Sequence, residues 1–295
     1  MARLLRYLIV LMLIGGGAFW FLTSPQRADV NVFADTSGDA KRGEAIFWAG
    51  GCASCHAAPG AKDEARLVLA GGYRIVSPFG TFIAPNISPS DEGLAGWSVA
   101  DLGNALLYGT SPDGRHYYPA FPYSSYQHMK TQDIADLKAF LDTLPSSDTP
   151  NTPHELGFPF TIRRGIGLWK LLNMSPNWML EAADSPELER GRYLVEALAH
   201  CGECHTPRNV TGGLDRSRWM AGAPNPSGEG KIPGITPDTL DWNTRDIVFY
   251  LETGLDPDYD SAGAQMVSVI ANMGHLTIED RTAIAAYLKA LPPSN

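Results

Sequence analysis

Two short stretches carry the chemistry of this chain: "GCASCH" at residues 51–56 and "CGECH" at residues 201–205. In each, two thiols separated by two residues are followed at once by an imidazole, the attachment pattern of a c-type haem. The thiols add across the porphyrin vinyl groups, and the histidine ligates the iron. With 4 Cys and 7 His in 295 residues, the pattern arises by chance on the order of 0.001 times per chain. A second copy removes chance as an explanation. A thioredoxin-like redox pair would need a βαβ setting, and a zinc site would need further Cys or His at ligand spacing; neither surrounds these stretches. Cys52, Cys55, Cys201 and Cys204 are all the cysteines, so none remains for a structural disulfide. The reading is two covalently bound haem c groups held by those sulfurs, with His56 and His205 as axial ligands.

The rest of the chain must position these groups. Hydrophobic residues make up 44% and charged residues 19% of it, which indicates a globular protein rather than a disordered or polytopic one. The net charge of −9 argues against nucleic acid as a partner, because a polyanion needs a basic face. At the N-terminus, Arg3 and Arg6 precede an uncharged run from Tyr7 to Thr23. As a helix that run is roughly 26 Å long, a little under the ~30 Å hydrocarbon core of a bilayer. It lacks an obvious small-x-small cleavage pattern, and Trp20 falls where interfacial anchors sit. Residues 1–36 are therefore expected to form a membrane anchor and short linker. The competing reading, a cleaved signal peptide, also exports the remainder.

The two haem motifs head two copies of one pattern. Gly43 precedes Cys52 as Gly191 precedes Cys201; "APNISP" and "IPGITP" follow; "WSVADLGNALLYGTSP" and "WNTRDIVFYLETGLDP" match in spacing; "TQDIADLKAFLDTLP" and "TIEDRTAIAAYLKALPP" close each half. This internal duplication gives two units, 37–146 and 187–295, joined by residues 147–186. Ser98 with Asp101, and Thr277 with Asp280, have the spacing of helix N-caps. Ile134, Leu137, Phe140 and Leu141 recur at helical spacing, as do Ile284, Tyr287, Leu288 and Leu291, so each closing helix buries one stripe. Gly43 and Gly191 are expected to let the first helix of each unit approach the last, against Phe140 and Tyr287. The Pro- and Gly-rich turns are expected as loops rather than strands. The joining segment carries Phe158, Phe160, Trp169, Leu171, Leu172 and Trp178, so it is read as packed on the units; a membrane-touching segment is the alternative.

The motifs "GCASCH", "FIAPNISP", "GRHYYPAFPYSSY", "GFPFTIRRGIGLWKLL", "RGRYLVEALAHCGECHTPRN", "GITPD" and "AIAAYLKALPP" closely resemble bacterial diheme cytochromes c, including the cytochrome subunits of periplasmic alcohol, aldehyde and sugar-acid dehydrogenases. The resemblance runs from about residue 38 to the end. It implies an all-α fold, two tandem cytochrome c-type helical haem domains, here with an N-terminal transmembrane helix. Those subunits commonly carry three haem units and this chain has two, so the identity of a partner is not transferred.

The resemblance also bears on the axial ligands. A ligating histidine gives its other ring N–H to a fixed acceptor, often a carbonyl; here Pro207 and, one residue further from its histidine, Pro59 are expected to supply it. Met266, in "SAGAQMVSVI", occupies the place of the family's ligand methionine, while Met273 and Met220 read as packing residues. In the first unit "PAFPY" stands where the family reads Pro-Ala-Met-Pro-Tyr, so Phe121 occupies the ligand position. Met129 is the expected replacement, with His128 and His116 as rivals and a vacant site as a third possibility. With two axial ligands on each iron, the implied role is outer-sphere electron transfer in the periplasm of a bacterium, from a dehydrogenase or respiratory complex towards a terminal oxidase or soluble cytochrome. The alternatives are a diheme enzyme, peroxidase-like or thiosulfate-oxidising, with one open haem, and a fixed subunit of a terminal oxidase complex.

Overall fold

The computed structural model of the chain describes residues 1–225 and 230–294. Helix α1 (Ala2–Leu22) is long and apolar enough to cross a bilayer, and none of its residues is buried by the rest of the protein. Helices α2 (Ala40–Ala49), α3 (Cys52–His56), α4 (Val99–Tyr108), α5 (Tyr123–Tyr126) and α6 (Thr131–Leu141) follow. Helix α7 (Gly165–Asn173) lies in the joining segment. The second half contains α8 (Pro186–Arg192), α9 (Gly202–His205), α10 (Thr244–Thr253), α11 (Met266–Met273) and α12 (Ile278–Ala290). Helix α8 runs on through a π-helical turn, Tyr193–Leu198.

Each half is built on one crossing of its first and last helices. Asp39 caps α2 by accepting from the amides of Lys41 and Arg42, and α2 then packs along α6. At the crossing, a Cβ on Gly43 would overlap the Asp136 carbonyl and come within 2.8 Å of the Phe140 Cβ. Gly191 of α8 meets α12 in the same way, against the Ala283 carbonyl and 2.9 Å from the Tyr287 Cβ. These are the close approaches expected of the two glycines. Salt bridges fasten both crossings: Arg42 to Asp136 at 2.7 Å and Arg190 to Asp280 at 2.7 Å. Burial alone would raise the Asp136 carboxyl, yet Arg42, the Asp39 amide and Gln132 together hold it below the usual carboxylate range.

The third helix of each half repeats as closely. Ser98 starts α4 and Asn243 starts α10, each through a reciprocal capping box with the aspartate three residues on. Both helices end on a left-handed glycine, Gly109 at φ +57° and Gly254 at φ +76°. Thr277 caps α12 as expected. Helix α6 begins at Thr131, but its cap is Lys130, whose amide donates to the Tyr193 hydroxyl of the other half. Phe47 and Ile134 of the first half and Leu194, Val195, Leu198 and Tyr287 of the second are fully buried, within one core that runs through both halves.

Among the described residues the fold is all-α apart from two small sheets, and these correct the expectation of loops. Strands β1 (Arg74–Ser77), β2 (Gly80–Ile83) and β3 (Glu155–Leu156) pair antiparallel in that order, and β4 (Ala223–Pro224) pairs with β5 (Lys231–Ile232). Ile75, Val76, Thr81 and Ile83 are the β-branched residues that suit a short hairpin, closed by a two-residue turn that Ser77 Oγ braces on the Gly80 carbonyl at 2.8 Å. The strands β2 and β5 each feed directly into one of the repeated Pro-x-Ile-Ser/Thr-Pro turns.

The joining segment touches both halves and α1. Trp169 donates to the Thr211 carbonyl at 3.1 Å, Lys170 to the Gly109 carbonyl at 2.8 Å, and Trp178 stacks on His128. Phe158, Leu168, Leu171 and Leu172 remain exposed.

The crossings make an unusual prediction. In an exposed helix Ala is preferred to Gly by about 1 kcal/mol, but Gly43→Ala and Gly191→Ala force two backbones apart and are each expected to lower stability by about 3 kcal/mol or more, read from urea unfolding of the haem-loaded protein. A second prediction concerns the Asp136 carboxylate. Its folded-state pKa is depressed, so its contribution is present at neutral pH and is lost as pH falls through the folded value. Asp136→Asn is therefore expected to be less stable than wild type at pH 7, with the gap closing on acidification.

Candidate haem sites

Helix α3 follows Gly51, which sits in the left-handed region at φ +64°. One helical turn places positions i, i+3 and i+4 on one face, so Cys52, Cys55 and His56 come to one side. Helix α9 follows His200, at φ +42°, and Cys201 in the same way. The carbonyl of each motif histidine is tied back to a glycine amide at 2.7 Å, His56 to Gly71 and His205 to Gly222.

The ring of each histidine is fixed by a second bond. His56 Nδ1 donates to the Pro85 carbonyl and His205 Nδ1 to the Pro233 carbonyl, both at 2.8 Å. A carbonyl can only accept, so Nδ1 carries the proton and Nε2 keeps the lone pair that a metal requires. This corrects the expectation that Pro59 and Pro207 supply the acceptors. The carbonyl of Pro207 accepts from the Asp215 amide instead. A proline two or three residues past the histidine is still leaving the motif; the chain must turn through a hairpin before it comes back over the ring, and the Pro-x-Ile-Ser/Thr-Pro turn is where it returns. The repeat of that turn was the available signal.

The four cysteines are unpaired with one another. Burial pushes the Cys52 and Cys201 thiols up to about 12 and Cys55 up to about 11, so they mark neutral, partly enclosed positions of the kind thioether sulfurs occupy. Among the described residues, Trp48 Nε1 and Tyr123 Oη are buried donors with no hydrogen-bond partner. A porphyrin brings carboxylate acceptors of its own. Paired sulfurs and a freed Nε2 fit a covalently held haem in each half, and in the first half the unspent donors add to that fit.

The structure also brings the two motifs together, which the sequence reading did not anticipate. Tyr126 donates to the Gly50 carbonyl at 2.9 Å while its ring lies 5.6 Å from that of His200. Ser124 Oγ donates to Glu203 at 2.8 Å, and Asn272 donates to Ser54 Oγ at 2.7 Å while accepting from Arg66. Trp48 stacks flat on His275, with centroids 3.7 Å apart. The thiol of Cys204 even contributes to raising that of Cys55, after burial. Residues in and beside each haem motif thus contact residues of the other half.

The loops expected to supply the sixth ligands superpose by their hydrogen bonds. The Tyr117 amide donates to the Gly109 carbonyl and the Ala262 amide to the Gly254 carbonyl, both at 2.7 Å. Counting on equally from these anchors, Phe121 matches Met266, which opens α11 and is partly buried. Met129 has a different counterpart. Its amide bonds to the Tyr126 carbonyl and that of Leu276 to the Met273 carbonyl, and each residue directly precedes the cap of its closing helix. Both are 6% exposed and belong to the hydrophobic core. His116 Nε2 donates to the Thr23 carbonyl at 2.9 Å. His128 stacks on Trp178, and burial together with Arg216 and Arg192 brings its pKa down to about 4. Met220 and Met273 are buried core residues.

Fold and sites together define a c-type cytochrome. Residues 40–145 match the cytochrome c family. A protein described as "Diheme cytochrome c-type" from Cereibacter sphaeroides is 60% identical over 293 residues, 99% of each chain. The fructose dehydrogenase cytochrome subunit of Gluconobacter japonicus is 35% identical over 85% of this chain and 52% of its own. The gluconate 2-dehydrogenase cytochrome c subunit of Pantoea cypripedii is 31% identical over 96% of this chain and 64% of its own. The chain belongs to the diheme c-type cytochromes. It carries two covalently bound haem c groups and transfers electrons; it spans about half to two thirds of the length of those two dehydrogenase subunits.

Replacing Cys201 and Cys204 together by Ala is expected to leave one haem per chain, read by haemochrome absorbance, with the spectrum of the remaining haem close to native.

Proposed function

We propose that this cytochrome is an anchored periplasmic electron carrier, taking electrons from a membrane or periplasmic dehydrogenase or another respiratory complex and passing them to a terminal oxidase or soluble cytochrome, without itself making or breaking substrate bonds. The observation that carries the reading is the set of contacts joining each haem motif to the other half, which suits passage of single electrons from one half to the other. A dehydrogenase donor is supported by relatives that are cytochrome subunits of dehydrogenases.

In this reading each half, 37–146 and 187–295, holds its own haem. Cys52 and Cys55, or Cys201 and Cys204, attach it; His56 or His205 ligates it through Nε2; Met266 is the sixth ligand in the second half. Haem supplies one-electron exchange at a potential set by its axial ligands and their surroundings. The protein's part is to fix ligand orientation. The Pro85 and Pro233 carbonyls hold the imidazole planes and make their nitrogens more basic.

The anchor reading is supported where α1 meets the globular body. Thr23 is 1% exposed. Arg164 Nε donates to Thr23 Oγ1 at 2.9 Å, the Arg164 guanidinium lies 4.1 Å over the Trp20 ring, and His116 donates to the Thr23 carbonyl. Gly167 packs on the Thr23 backbone so closely that a Cβ would collide. A cleavage that removed this end of α1 would leave a buried histidine and an arginine without their partners, so the segment is built into the fold.

The test is purification of the native full chain in mild detergent from bacterial membranes, followed by reduction assays with alcohol, aldehyde or sugar-acid substrates. Reduction of the ferric haems by a co-purifying dehydrogenase is expected. Reduction only by a quinol, in stoichiometric complex with an oxidase, would replace this reading with that of a fixed oxidase subunit. Removing residues 1–19 behind a cleavable signal, which keeps Trp20 and Thr23 with their partners, is expected to release the diheme protein into the soluble fraction; a native product already soluble and lacking residues 1–24 would overturn the anchor.

A further inference from the structure

The two halves repeat their backbone up to the sixth coordination position and then differ in one side chain. After the matched Gly109 and Gly254 contacts, the second half presents Met266 and the first presents Phe121. A thioether offers a lone pair to iron; a phenyl ring offers none. The nearby candidates in the first half each make other contacts, although His116 Nδ1 is buried with no partner among the described residues. Met129 stands at the position of Leu276, packed in the core immediately before the closing helix. His116 is bonded to the end of α1, and His128 is stacked on the joining segment.

We propose that the first haem, held by Cys52, Cys55 and His56, has no sixth ligand from this chain, and that the position beside Phe121 is a binding site for a small neutral diatomic ligand such as carbon monoxide or nitric oxide on the ferrous iron. This rests on the reading of Met266 as the sixth ligand of the second haem. Met129, the ligand expected from sequence, is assigned to packing.

The surroundings select the ligand class. The Phe121 ring lies 5.9 Å from Tyr117, 5.6 Å from Tyr126 and 6.3 Å from Tyr123, an aromatic cluster whose Tyr123 ring carries Lys170 Nζ at 4.7 Å from its centroid. The Tyr126 hydroxyl is already used on the Gly50 carbonyl, and that of Tyr123 is buried without a partner. A low-dielectric wall of this kind penalises an entering anion unless it is paired. A neutral diatomic carries no such penalty and needs no charged partner. In the second half Met266 would have to leave the iron first.

The experiment is carbon monoxide titration of the dithionite-reduced full chain in detergent, with the spin state of the oxidised protein read by electron paramagnetic resonance. One carbon monoxide per chain and one high-spin haem of two are expected. Phe121→Met should convert that haem to low spin, add a second iron–thioether band at the red end of the spectrum and reduce carbon monoxide binding at least tenfold. Met129→Leu, which preserves packing, should change none of these. No carbon monoxide binding with two thioether bands in wild type, one of them lost in Met129→Leu, would overturn the proposal in favour of Met129. If Met266→Ala leaves the single wild-type thioether band in place, the reading of Met266 fails by itself, and the proposal then stands or falls on the Phe121→Met result.

Discussion

Each half depends on two helices touching backbone to backbone. Gly43 and Gly191 have no side chain because the partner carbonyl occupies the space where one would be. The first helix of each half leads into the haem motif, and the last begins where the distal loop ends. Their crossing therefore sets the separation between the histidine side and the opposite side of the haem. The conserved geometry of the two halves follows: Arg42 with Asp136 and Arg190 with Asp280 hold the crossing, and the capping boxes at Ser98 and Asn243 align the third helix against it. Helix propensity alone would place alanine at both glycines, so close packing has overridden local preference.

Once the backbone is repeated, a difference between the halves has to come from side chains and from their mutual contact. The first half uses Tyr126 to bond its own Gly50 and meet His200, while the second contributes Asn272 and His275 to Ser54, Arg66 and Trp48. These residues have no equivalent partner in an isolated unit. The duplication has become a heterodimer within one chain, in which each half completes the other's surface near the haem motif. The exchange of thioether for phenyl at Met266 and Phe121 belongs to the same divergence.

Much of this was legible in the sequence for local reasons. Cysteine and histidine spacing marked the two haem motifs, 3.6-residue periodicity gave the closing helices, and serine or threonine three residues before aspartate gave the starts of α4 and α12. Gly43 and Gly191 were readable because each precedes its motif by nearly the same distance, nine residues before Cys52 and ten before Cys201. The acceptors of His56 and His205 were not, since Pro85 and Pro233 reach them only after a hairpin has reversed the chain, and proximity in sequence pointed to Pro59 and Pro207. Met129 shows the limit of such signals: a methionine near an apolar helix start looks the same as a ligand or as core, and its match to Leu276 is visible only in the fold. The contact between halves had no periodic signature, because it is made by single residues on several different elements.

The grip on Thr23 has a mechanical meaning. With Arg164, His116 and Gly167 closing on the end of α1, the body is not tethered by a loose chain. If α1 spans the bilayer, the iron atoms ride at a set height above the lipid and turn only as the whole molecule turns. Encounters are then confined to two dimensions, and a redox partner must offer its own centre within that shallow layer. Selection among partners becomes a matter of altitude and heading as well as of surface chemistry.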